Sequence, residues 1–215
     1  MIFMAKRTFS RKRIYTFQKG AKVSSKWLLI VCLSLISVFF VGNLHIQESE
    51  TAREVRETEA LHQQFIQQLV PYTQEANRMY GVLPSISLAQ AILESDWGTS
   101  GLAANYYNLY GIKGESNAPF VDLETSEFHN GEWIKITGRF RVFESWRESV
   151  LAHAQLMALG VTWDETLYHK VLAANHYQEA ARELVNAGYA TDPSYAEKII
   201  QIIEQYHLDK YDIKE

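Results

Sequence analysis

Twenty consecutive positions, Trp27 to Ile46, carry no formally charged side chain, and this run divides the chain into parts with different surroundings. Its length matches the roughly 20 residues that an α-helix needs to span a bilayer. Between Met1 and Gln47 there are eight basic residues (Lys6, Arg7, Arg11, Lys12, Arg13, Lys19, Lys22 and Lys26) and no acidic one. Beyond Gln47, 13 basic residues face 25 acidic ones, a formal charge of −12. Such asymmetry points to two compartments rather than one surface. Basic residues on one side only place the N-terminus in the cytoplasm. The basic head is therefore read as a membrane-flanking tail, and no nucleic-acid partner is expected. The resulting plan is a cytoplasmic tail over 1–26, a transmembrane signal anchor over 27–46, a polar stalk over 47–60 and an outer globular domain over 61–212. A cleaved signal peptide is the rival, but the run is long and no A-x-A-like site follows it.

The lone cysteine, Cys32, lies inside the apolar run. The outer domain thus has neither a disulfide nor a thiol nucleophile, and its stability must come from its core. Leu61, Phe65, Ile66, Leu69 and Val70 recur at helical steps, with Pro71 expected to bend or restart the helix. Pro84 to Gly98 reads as a short buried helix opened by Pro84 and stopped by Gly98. Residues 99–118 read as an irregular loop. Alternating residues around Asn130-Gly131 predict a small antiparallel sheet over about 120–143. Helical patterns return after Ser145, around Ala180 and Leu184, and after Asp192-Pro193. Many helices with one small sheet make an α+β fold.

Glu94 is the residue that a purely structural account explains worst. Its helix is apolar or small almost throughout, apart from Gln90. Desolvating a carboxylate is expensive unless it is paired or neutralised. Apolar surroundings raise its pKa and keep a proton available at neutral pH, as a general acid requires. A Glu that reaches solvent or a buried partner is the alternative. Aromatic residues make up 13% of the chain, which suits either an aromatic core or a cleft that stacks on sugar rings.

Three segments carry a family resemblance. Ala89-Gln-Ala-Ile-Leu-Glu-Ser-Asp-Trp-Gly98 is followed by Asn105-Tyr-Tyr-Asn-Leu-Tyr-Gly-Ile-Lys113, and Gly188-Tyr-Ala-Thr-Asp-Pro-Ser-Tyr-Ala196 lies near the C-terminus. In this order they resemble the glucosaminidase domain of bacterial autolysins, the glycoside hydrolase family 73 type that includes flagellar peptidoglycan hydrolases. The resemblance covers about 60 to 210. It implies a lysozyme-like, mostly helical fold with a small β-hairpin lobe, and hydrolysis of the β-1,4 bond between N-acetylglucosamine and N-acetylmuramic acid. The family's acid falls on Glu94. Its second carboxylate falls on Glu127, within Thr125-Ser-Glu-Phe128, with Glu124 and Glu132 as substitutes. Tyr189 would stand beside the scissile bond. Asn108, Trp97, Tyr107 and Tyr195 are the substrate-binding candidates, although Trp97 and Tyr195 also suit a core. Tyr107 stands where the family often has an amide.

The resemblance places the substrate, peptidoglycan glycan strands, on the far side of the membrane from the N-terminus, as on a Gram-positive surface. No cofactor is implied. The seven histidines form no H-E-x-x-H, and His169 and His176 lack nearby ligand patterns, so no metal site is expected. A muramidase, a lytic transglycosylase and an inert wall-binding protein are the remaining alternatives.

Overall fold

The computed structural model describes the backbone at 25–115, 118–129 and 132–212, and side chains from residue 50 onward except at 126–129 and 132–133. The chain divides into two units, Met1–Val55 and Arg56–Glu215. The predicted tail, most of 1–26, lies outside the described residues, and the predicted anchor falls on helix whose side chains lie outside them. Among the described residues no helix is long and apolar enough to cross a membrane.

Helix α1 is Ser25–Tyr80. In the second unit its buried side is Phe65, Ile66, Leu69, Thr73 and Ala76, a three- and four-residue repeat that continues in phase past Pro71. Pro71 therefore neither ends nor restarts the helix. It sits on the exposed face, so the buried stripe is not interrupted. Leu61, grouped with that stripe in the sequence, is 65% exposed.

Helix α2, Pro84–Ser95, lies at the centre of the unit. It packs on α6 (Tyr177–Asn186), on α7 (Tyr195–Tyr206) and on a 3₁₀ turn at Leu208–Tyr211. From Pro84 to Ile92 every residue is buried, and Ser95 is buried again. Only Leu93 and Glu94 open the helix to solvent. No local side chain caps its N-terminus. That duty falls to Asp212, whose carboxylate accepts from the Ser85 amide (2.8 Å) and hydroxyl (2.5 Å). The helix ends at Ser95, three residues before the expected stop. Asp96, Trp97 and Gly98 then take left-handed φ values of 49°, 59° and 76°. A Cβ at Gly98 would lie 2.8 Å from both the Phe65 and Trp146 rings, so only glycine fits.

The segment 99–118, expected to be irregular, contains a one-and-a-half-turn helix, α3, Gly101–Tyr106. Ser100 caps it by accepting from the Ala103 amide. The predicted sheet is a two-stranded antiparallel hairpin, β1 (Phe120–His129) and β2 (Glu132–Arg141). Its expected Asn130-Gly131 tip lies outside the described residues. Helix α4, Trp146–Leu159, is capped by Ser145, which accepts from Glu148 N. A short α5, His169–Ala173, precedes α6. The architecture is mostly helical α+β with one small antiparallel sheet.

Candidate active site

The opening in α2 faces a cleft of about 870 Å³. Glu94 keeps one solvent-facing side there, as a group that must reach substrate has to, while protein crowds the rest of its carboxyl. Burial raises its pKa above the usual 4.5, and an opposing hydrogen bond from Tyr195 does not cancel the rise.

That hydrogen bond makes the two carboxyl oxygens unequal. Gln90 Nε2 donates to the Tyr195 hydroxyl (3.2 Å), and the hydroxyl donates to Glu94 Oε1 (2.8 Å). With Oε1 occupied, Oε2 is the oxygen free to carry an acid proton. After that proton leaves, the bond from Tyr195 persists and stabilises the carboxylate. Tyr195 is thus both core and cleft. It is buried at the first turn of α7, yet its hydroxyl touches the candidate acid.

Tyr189 lines the same cleft, its ring centroid 5.7 Å from that of Tyr195. Its hydroxyl is paired with His153 Nε2 at 3.4 Å. His153 is fully buried, stacked on Tyr110 at 3.9 Å, and burial depresses its pKa to about 3, so the ring is neutral at physiological pH. The Tyr189 hydroxyl itself is pushed well above 10 by burial and by Glu94. Both tyrosines therefore act as neutral hydrogen-bonding groups. Beside them, Asp192 accepts from Ser194 N and Oγ (2.9 and 2.7 Å) and from Lys198 Nζ (2.5 Å), which tightens the turn before α7.

Glu127 lies in β1 opposite Ile134, and its side chain is outside the described residues. Of its substitutes, Glu124 is exposed opposite Thr137, and the Glu132 side chain also lies outside the described residues.

The structure does not bring Trp97, Tyr107 or Asn108 to the lining of the Glu94 cleft. Trp97 stacks on His62 at 3.6 Å and lines a separate groove of about 350 Å³ with Phe65 and Trp146. Tyr107 is 44% exposed and ends α3 in a left-handed conformation, φ 55°. Asparagine is favoured there for backbone reasons, which accounts for an amide at that position without sugar binding. Asn108 is buried and spends its amide on the loop. Its Nδ2 donates to Ile112 O (2.9 Å) and Arg141 O (2.8 Å), and its Oδ1 accepts from Ile112 N (3.0 Å). It ties the loop to the base of the hairpin.

Sequence reasoning missed His153, Tyr110 and Tyr168. His153 did carry a signal, a polar residue in the buried stripe Val150, His153, Ala154 and Met157 of α4. Among the described residues no cluster of His, Cys, Asp and Glu could hold a metal ion.

The profile described as "Glucosaminidase: Mannosyl-glycoprotein endo-beta-N-acetylglucosaminidase" matches residues 70–208. The exo-glucosaminidase LytG of Bacillus subtilis is 42% identical over 195 residues, covering 89% of this chain and 69% of that protein. A probable N-acetylmuramidase of Lactococcus lactis is 38% identical over 151 residues, covering 69% of this chain but 34% of that protein. Among solved structures, the catalytic domain of the autolysin Auto from Listeria monocytogenes superposes with a TM-score of 0.65 at 35% identity, covering 71% of this chain and 88% of that one.

Proposed function

The chain belongs to the glucosaminidase family and is a peptidoglycan glycoside hydrolase; on that premise we propose that it cleaves the β-1,4 bond between N-acetylglucosamine and N-acetylmuramic acid within glycan strands, with Glu94 as the general acid. The observation that carries this reading is the Gln90–Tyr195–Glu94 relay at the single opening of an otherwise buried helix. Glu94 protonates the departing glycosidic oxygen from Oε2, and Tyr195 holds the carboxylate that remains. Glu127 is the second carboxylate, brought by the hairpin. It either activates water or assists attack by the substrate's own acetamido group, with Tyr189 orienting that group.

The test is mass spectrometry of purified cell wall after digestion and borohydride reduction. New reducing ends on N-acetylglucosamine are expected. Reducing ends on N-acetylmuramic acid would move the chain to the activity in the Lactococcus relative's name, and anhydro ends would make it a transglycosylase. Fragments of mixed length are expected from internal cleavage. Release of terminal units alone would match the exo activity in the Bacillus relative's name. The anomer of fresh product, read by NMR, separates direct inversion by water from the acetamido route.

We further propose that residues 27–46 anchor the enzyme in the cell membrane by a single pass, with the catalytic domain outside and facing the wall. The uncharged run and its one-sided basic flank support this. The charge of −12 beyond Gln47 gives no attraction to an anionic wall, so a tether is the simpler means of concentrating the domain there. Membrane fractionation and sequencing of the mature N-terminus test the anchor. A soluble protein starting near residue 45 would refute it.

A further inference from the structure

Trp163 is the most exposed of the large apolar side chains among the described residues, at 81%. It lines the same cleft as Glu94, together with Leu156, Val161 and Tyr168. Leaving an indole in water forgoes a large apolar burial, since aromatic rings bury 150–250 Å² when packed.

The turn that presents it is firmly built. Val161 N donates to Asp164 O (3.0 Å) and Asp164 N returns the bond to Val161 O (2.9 Å), which leaves Thr162 and Trp163 at the tip. Asp164 Oδ1 accepts from Thr166 N (2.9 Å) and Thr166 Oγ1 (2.8 Å), so the C-terminal leg is pinned as well. Gly160 enters the turn at φ +68°, and a Cβ there would lie 2.4 Å from Asp164 O. The backbone under Trp163 is therefore fixed, and the indole has only two side-chain torsions to lose when a ligand orders it.

The size of the cleft suggests the ligand. About 870 Å³ is near the upper end of the roughly 300–1,000 Å³ of small-ligand sites, room for more than the ring on which the acid acts. A flat aromatic face suits the apolar C–H face of a pyranose ring, and the polar neighbours Thr162 and Lys113 in the same cleft suit its hydroxyl and acetamido edges.

We propose that Trp163 is a glycan-stacking residue. It forms a subsite of the cleft that binds an N-acetylated sugar ring away from the scissile bond and so gives the enzyme its preference for extended strands over short ones. This rests on the glycan-hydrolase reading of the cleft. Trp163 takes no part in proton transfer. Its contribution is binding that is equal in the ground state and the transition state, which lowers KM without raising kcat.

The experiment uses the full chain and glycan fragments of defined length, a disaccharide and a hexasaccharide of alternating N-acetylglucosamine and N-acetylmuramic acid. In an inactive Glu94→Gln background, binding of the hexasaccharide shifts the tryptophan fluorescence. Adding Trp163→Ala removes most of the shift and weakens binding about tenfold, consistent with roughly 1.4 kcal/mol of stacking. Trp163→Tyr retains most of the affinity. In the active enzyme, Trp163→Ala raises KM for the hexasaccharide by a similar factor, with kcat within about twofold. Because the side chain is exposed and packs on little, the variant's thermal midpoint stays at the wild-type value.

Two outcomes overturn the proposal while leaving the hydrolase intact. KM is unchanged in Trp163→Ala, whether or not kcat falls, or the substitution instead reduces association with lipid vesicles in the absence of glycan. If the wild-type chain hydrolyses no glycan at all, it is the reading of the cleft that fails.

Discussion

The opening in α2 that carries Glu94 and the hairpin that carries Glu127 are built by different means. Glu94 rests on a helix buried on nearly every side, with Asp212 tying down its start and Tyr195 the last turn that carries Glu94. The hairpin is only two strands, which alone are marginal in water. It is secured at its base. Asn108 clamps the loop to Arg141, Gly114 N donates to Arg139 O, Arg141 N donates to Ile112 O, and Phe140 is buried. On the exposed side of the same foot, Arg139 pairs with Asp122 (2.9 Å) and its guanidinium lies 3.8 Å over Phe120. Glu94 is thus fixed by the core, whereas Glu127 lies on a hairpin whose described anchorage is at its foot. In the proposed mechanism Glu94 is the group that benefits from a raised pKa, because it has to deliver a proton.

The difference predicts unequal losses. Glu94→Gln is expected to lower hydrolysis about 1,000-fold or more, at the upper range of general-acid effects, measured as release of reducing ends from cell wall. The same variant should be more stable than wild type at neutral pH. Burial raises the folded-state pKa of Glu94 above 4.5, so the folded protein holds that proton more tightly than the unfolded chain. The resulting stability is complete below about pH 4.5 and is lost as pH rises through the folded value. Glutamine has no such loss. Urea unfolding at pH 4 and pH 8 should show the variant's advantage only at the higher pH. Equal differences at both would mean that Glu94 is not shifted.

Glu127→Gln probes the other side of the comparison. An expected loss of about 100-fold in kcat, with unfolding unchanged at both pH values, marks a carboxylate that does chemistry without a buried environment. A loss below about threefold would hand the role to Glu124 or Glu132.

Asn108→Ala separates the base of the hairpin from its strands. Removing three buried neutral hydrogen bonds is expected to cost about 2–3 kcal/mol. Asp122→Asn in the exposed pair should cost under about 1 kcal/mol. Denaturant titrations of the two variants read the contrast directly, and equal costs would show that the buried amide secures the hairpin's foot no more than the exposed ion pair does.

How much of this was legible in the chain follows the same division. Glu94 was visible because a charge in an apolar helix is a local anomaly that any reader of the sequence meets. The hairpin was visible because alternation and Asn130-Gly131 are local too. Asp212 was not, since it caps a helix 127 residues away and nothing near either residue announces the pairing. Asn108 was seen as a candidate sugar ligand, but which groups take an amide's hydrogen bonds is a tertiary fact. Pro71 was misread because a proline on the exposed side of a helix leaves the buried stripe intact, and the stripe decides. The short α3 was hidden by its glycine and asparagine, residues that usually mark loops but here lie within a helix that a serine caps.

Tyr195→Phe gives the finest test of the comparison, since it alters the core's hold on Glu94 while leaving both carboxylates in place. The ring stays in the core, but the hydroxyl makes two hydrogen bonds and its loss leaves the buried Gln90 Nε2 without an acceptor, so stability should fall by about 1–3 kcal/mol. Loss of the hydroxyl removes the one hydrogen bond among the described residues that lowers the pKa of Glu94, and burial then raises it further. The folded pKa rises, so the alkaline limb of the activity profile moves to higher pH. At the optimum, kcat is expected to fall about tenfold, roughly 1.4 kcal/mol, because the carboxylate formed as the proton leaves has lost its donor. An alkaline limb that moves the other way, or does not move, would show that the Tyr195 hydroxyl does not hold Glu94 in the working enzyme, and that the acid is set by burial alone.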